Sequence, residues 1–63
     1  MNIGENVKRI RTEKEMSQLD LADAIGVTQP MISMIERGTK APSMQLGKQI
    51  ADALDVSVDK LFL

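Results

Sequence analysis

Residues Gln18 to Arg37 read QLDLADAIGVTQPMISMIER, and this stretch decides the fold. Ser17 stands just before it, a residue type whose side-chain oxygen accepts a backbone N–H and so starts helices. Leu21, Ala22 and Ile25 then form an apolar stripe at helical spacing. Gly26 stops this helix, because glycine enters the left-handed region without a Cβ clash. Thr28 is the next candidate cap, and Pro30 falls in a first turn, where a missing N–H costs little. Ile32 and Ile35 share one face, and Gly38 closes the segment. Two short helices are expected, about 18 to 25 and 29 to 37, joined by a tight turn.

The spacing within the pair has a physical meaning. A second helix lying across the first needs a small residue at the crossing, and Ala22 supplies it. The turn needs a residue that tolerates positive φ four positions later, and Gly26 is there. Val27 closes the turn, Ile32 and Ile35 bury one face, and Met31 packs towards the preceding helix. The opposite side of the second helix then carries Gln29, Pro30, Ser33, Met34 and Arg37.

Outward from this pair the pattern stays helical. Ile3, Val7 and Ile10 share a face, and Asn2 followed by Glu5 resembles a capping box, so a first helix is expected at about 3 to 14. Thr39 to Pro42 is a loop. Ser43 caps a fourth helix that runs through Met44, Gln49, Ile50, Ala51 and Leu54. Gly47 inside it costs about 1 kcal/mol relative to alanine, which points to close approach by another helix. Ser57 starts a last turn through Val58, Leu61 and Phe62. The reading is all-α: one domain, 1–63, of five short helices, with no linker or internal repeat.

Composition bounds the function. The chain has 63 residues with no cysteine and no histidine, so neither a disulfide nor a metal is expected to help its core. The same absence removes the usual bases and nucleophiles of an enzyme. Asp20 and Asp23, three apart on a helix, read as solvated surface. No apolar run approaches the roughly 18 residues of a membrane helix, and the first ten residues mix charge into their apolar pattern, unlike a signal peptide. The cytoplasm is the expected location. The net charge is −1, whereas nucleic-acid binding usually leaves a basic footprint. Residues 1 to 40 hold six basic side chains (Lys8, Arg9, Arg11, Lys14, Arg37, Lys40) and six acidic ones (Glu5, Glu13, Glu15, Asp20, Asp23, Glu36). Any contact with a polyanion must rest on where the charges fall.

With Met16-Ser17-Gln18, Ile35-Glu36-Arg37-Gly38, Ala41-Pro42-Ser43 and Asp55-Val56-Ser57 added, the sequence resembles the Xre/Cro-type family of bacterial and phage regulators, similar to the lambdoid phage repressors. The resemblance runs from about Val7 to Phe62. It implies a compact five-helix bundle with a central helix-turn-helix. It also implies a transcriptional regulator, a repressor by type, whose third helix enters the major groove of double-stranded DNA. Homodimers would bind two-fold symmetric operators. It calls for no cofactor, no small-molecule ligand and no membrane.

Roles follow residue by residue. Gln29 is the foremost base-reading candidate, because its amide both donates to and accepts from an adenine edge. Thr28, Pro30, Ser33 and Met34 complete that set. Pro30 and Met34 depart from the family pattern, removing polar reach; Met34 suits either a thymine methyl or an apolar contact with a partner. Ser17 and Gln18, at a helix start, are phosphate-binding candidates, as are Arg37, Thr39 and Lys40 beyond the third helix, with Ser43 and Lys48 behind them. The resemblance pairs Arg11 with Glu36 as a structural ion pair. Leu61, Phe62 and Leu63 cannot all face inward from one short turn, and they form the expected dimer interface. Leu19 is expected to be exposed. Asp20 and Asp23 sit near the expected DNA face with no evident benefit there. The competing reading is a protein-interaction module of the same fold, such as an antitoxin or anti-repressor partner. Beside the reader no room is expected for an effector domain, unless the chain is a part of a larger regulator.

Overall fold

A computed structural model describes residues 2–63. Among the described residues the chain forms α1 (Ile3–Glu13), α2 (Gln18–Ile25), α3 (Gln29–Glu36), α4 (Met44–Leu54) and α5 (Asp59–Phe62), with no strand. Each element buries one stripe in a shared core of Val7, Ile10, Leu21, Ala22, Ile32, Ile35, Ile50, Ala51, Leu54 and Leu61. Burying a large aliphatic side chain is worth about 1.5–3 kcal/mol, and this core holds α3 against its neighbours by its inner face alone. No helix among the described residues is long and apolar enough to cross a membrane.

Local signals set most of the boundaries. Asn2 Oδ1 accepts from the Glu5 N–H at 2.8 Å and caps α1. Only this half of the expected capping box forms. The complete box lies at α2: Ser17 Oγ accepts from the Asp20 N–H at 2.9 Å, and the Asp20 carboxylate accepts from the Ser17 N–H at 3.0 Å. Gly26 ends α2 at φ 75°, and the Val27 N–H returns to the Ala22 carbonyl at 3.0 Å. Ser43 caps α4 through the Leu46 N–H at 3.1 Å. Thr28 occupies the N-cap of α3 with extended backbone but makes no side-chain cap bond. The Pro30 ring in the first turn already fixes φ there and removes one donor in need of a cap.

Three expectations need correction. The first helix stops at Glu13 and the third at Glu36, each one residue early, with Lys14 and Arg37 as C-caps. Leu61 does not belong to an exposed interface: its side chain is fully buried in the core. Position 61 faces inward because α5 is a single turn, and its i, i+3 periodicity lets Val58 and Leu61 close the bundle while Phe62 and Leu63 stay outside. The close approach at Gly47 is real, and the neighbour is the Phe62 ring, 3.1 Å from where a Cβ would stand.

Two inward contacts had no sequence signal. Asn6 is buried on α1 and donates Nδ2 to the Leu61 carbonyl at 2.8 Å, tying the first helix to the last. Gly4 lies against the Ile35 and Glu36 carbonyls, so closely that a Cβ would overlap the Ile35 oxygen.

Candidate functional site

α3 presents its outer side because its inner side is spent on Ile32 and Ile35. Residues four apart lie one above the other on a helix. Gln29, Ser33 and Arg37 therefore form one row and Pro30 and Met34 the next. With Gln18 from the start of α2, these residues line a single open concavity. The structure thus brings together four of the five base-reading candidates, all but Thr28, with two of the phosphate candidates. Thr28 is exposed immediately before Gln29, with its hydroxyl uncommitted to the cap. Gln29, Pro30 and Arg37 are exposed, whereas Ser33 and Met34 are half-buried.

The far end of α3 is locked by charge. Arg11 Nε donates to Glu36 Oε2 at 2.6 Å and Nη2 donates to Oε1 at 3.1 Å, a two-pronged pair. The side chains retain only 11% and 2% of their exposure. A third donor, Nη1, reaches the Met16 carbonyl at 2.6 Å. One guanidinium therefore fixes the end of α3, the α1–α2 turn and, through its own backbone, α1. Arg11 is consumed structurally and is not a free cation.

Gln18 joins the same network, with Nε2 donating to Glu36 Oε1 at 3.0 Å. An amide nitrogen carries two hydrogens, so Gln18 can hold Glu36 with one and offer the other to the concavity it lines. Sequence reasoning gave Gln18 a phosphate-binding role at the helix start and no partner within the fold; the residue is half-buried and its side chain anchors α2 to α3.

Beyond α3, Gly38 at φ 80° turns the chain, and the Thr39 and Lys40 N–H groups both return to the Met34 carbonyl, at 2.9 and 3.2 Å. Arg37, Thr39 and Lys40 are all exposed, as is Ser17, but of these phosphate candidates only Arg37 lines the concavity together with Gln18. Ser43, like Ser17, accepts a backbone N–H at its cap, and Lys48 is exposed on α4.

Asp20 has a structural role. Its carboxyl is held below the ordinary carboxylate value, first by the Ser17 backbone N–H and then by the Ser17 hydroxyl. The negative charge also meets the positive end of the α2 dipole. Spacing offered the signal, S-x-x-D at positions 17 to 20, but the usual box carries Glu or Gln at its last position. Asp23 is exposed on the same helix and has no such partner at the cap. Leu19 is 52% exposed, as expected, while Phe62 and Leu63 stand 47% and 80% exposed at the C-terminal end. Among the described residues no three Asp or Glu side chains converge as a metal site would require.

The sequence profile described as helix-turn-helix matches residues 7–61. The chain is 40% identical over 60 residues to the HTH-type transcriptional regulator SinR of Bacillus subtilis, covering 94% of this chain and 54% of SinR. It superposes on the crystal structure of the biofilm master regulator SinR in complex with DNA with a TM-score of 0.87 and 40% identity, over 94% of this chain and 95% of that one. The P22 c2 repressor, solved with a synthetic operator, gives a TM-score of 0.91 and 27% identity, over 98% and 94% of the two chains. The chain spans about half the length of the curated relatives it matches first.

Proposed function

The chain belongs to the helix-turn-helix family, and from that premise we propose that it is a sequence-specific double-stranded DNA reader and transcriptional regulator, of repressor type, with α3 lying in the major groove. The observation that carries this reading is the single concavity formed by Gln18, Gln29, Pro30, Ser33, Met34 and Arg37. The solved relatives bound to DNA support it.

In this reading Gln29 pairs with an adenine edge, and Thr28 and Ser33 reach neighbouring bases or phosphates. Ser17 and the second amide hydrogen of Gln18 face one phosphate strand. Arg37, Thr39 and Lys40 face the other. The charge balance is set by position: Glu36 and Arg11 cancel each other at the end of α3, and Asp20 stays ionised but is turned to the Ser17 N–H at the start of α2. The chain acts as a homodimer on a two-fold symmetric operator, through an apolar patch of Phe62 and Leu63, with Leu61 excluded by its burial. Its place of action is the cytoplasm, as a reader of DNA held there.

The test is selection of bound duplexes from a random library, followed by salt titration of the winning site. A two-fold symmetric site should emerge, with affinity falling as salt rises. Gln29→Ala should cost roughly 1–3 kcal/mol at one base pair of each half-site. Failure to enrich any sequence at low salt would overturn the reading in favour of a protein partner.

A further inference from the structure

The outer face of α3 is not uniformly polar. Gln29, Ser33 and Arg37 occupy one i, i+4 row, and Pro30 and Met34 occupy the adjacent row of the same concavity. The apolar row is open to solvent: Pro30 is exposed and Met34 half-buried, whereas Met31, one position away, packs against the core. No polar group of these two side chains can read a hydrogen-bond pattern, since proline offers none and a thioether is a weak acceptor.

The floor of the major groove has the same two-part chemistry. Donors and acceptors alternate along the base edges, and the one apolar feature is the C5-methyl group of thymine. Resting on the proposed DNA reading, we infer that the Pro30–Met34 row reads pyrimidine C5-methyl groups, so that each half-site carries one or two obligatory thymines beside the base pair taken by Gln29. Met34 suits this task because an unbranched, polarizable thioether adapts its shape to a small apolar knob. The row is continuous with the polar one, so both are presented to the groove by the same helix face. A chemically matched surface next to the hydrogen-bonding row gives specificity without further charge, which fits a chain of net charge −1.

The experiment replaces each thymine of the selected site with deoxyuridine, one at a time, and measures the dissociation constant with the whole chain. This exchange deletes a single methyl group and leaves every hydrogen-bonding edge intact. A buried methylene-sized group is worth ~0.8 kcal/mol, so affinity should fall about fourfold per contacted thymine and not at the others. With Met34→Ala, the thymine and deoxyuridine duplexes should bind alike at the position lost. Cytosine placed there should bind worse than 5-methylcytosine, which returns the methyl to the same groove position. A wild-type chain that binds its site equally well with every thymine replaced overturns the inference and leaves the DNA reading standing. Met34→Ala retaining the full discrimination overturns the assignment to Met34. A chain that selects no duplex overturns both.

Discussion

Glu36 joins three helices through one carboxylate, and its removal gives the most discriminating stability test. In Glu36→Ala the Arg11 guanidinium, 11% exposed, loses two acceptors at once, and Gln18 loses its own. Breaking a buried pair from one side costs about 3–5 kcal/mol. The residual access of water to Arg11, and its bond to the Met16 carbonyl, place this case near the lower end, about 3 kcal/mol. A domain of 63 residues has a total stability of roughly 3–9 kcal/mol at 0.05–0.15 kcal/mol per residue. The melting temperature should therefore fall by roughly 12–24 °C, at 4–8 °C per kcal/mol. The double variant Arg11→Met, Glu36→Leu behaves differently. Both charges vanish together, the volumes are nearly kept, and the residual cost is the Met16 carbonyl left without its donor and the Gln18 amide left without its acceptor. It should lie within about 1–2 kcal/mol of the parent. Urea unfolding of the parent, Arg11→Met, Glu36→Ala, Glu36→Leu and the double variant closes the cycle, with a coupling of about 2 kcal/mol or more. A loss below about 1 kcal/mol in Glu36→Ala, or simple additivity of Arg11→Met and Glu36→Leu, would refute the account of α3 as locked by this pair.

Two further outcomes probe a close helix contact and a helix cap. Gly4→Ala should destabilise far more than the gain in helix propensity returns, by ~2 kcal/mol or more, because its Cβ must push α1 off the Ile35 carbonyl at the end of α3; thermal melting followed by circular dichroism checks it, and an unchanged midpoint would show that the helices separate freely. Asp20 should titrate below its ordinary value of 3.8 in the folded protein, followed by the side-chain carboxyl signal in NMR. A depressed folded pKa means that its contribution is full above the unfolded value near 3.9 and is lost as pH falls through the folded one. The α2 cap should thus weaken only in acid below about pH 4, and Ser17→Ala should return the midpoint towards 3.8. A midpoint at or above 3.8 in the parent chain would remove the capping box from the account.

The sequence by itself determined what short-range chemistry controls. The caps at Asn2, Ser17 and Ser43 act on an N–H three residues away, and the stop at Gly26 depends only on its own φ. The apolar period of Ile32 and Ile35 named the inner face of α3, and so the outer face that forms the candidate site. Tertiary structure decided the rest, because the partners lie far along the chain and neither carries a periodic signal. Asn6 reaches a backbone carbonyl 55 positions away. Gly4 matters only because another helix ends against it. Leu61, Phe62 and Leu63 are similar in hydrophobicity, and only the rotation of a one-turn helix on the finished core sends the first inward and leaves the other two outside. Gln18 gains its second role from Glu36, which reaches it only after α2 and α3 have crossed.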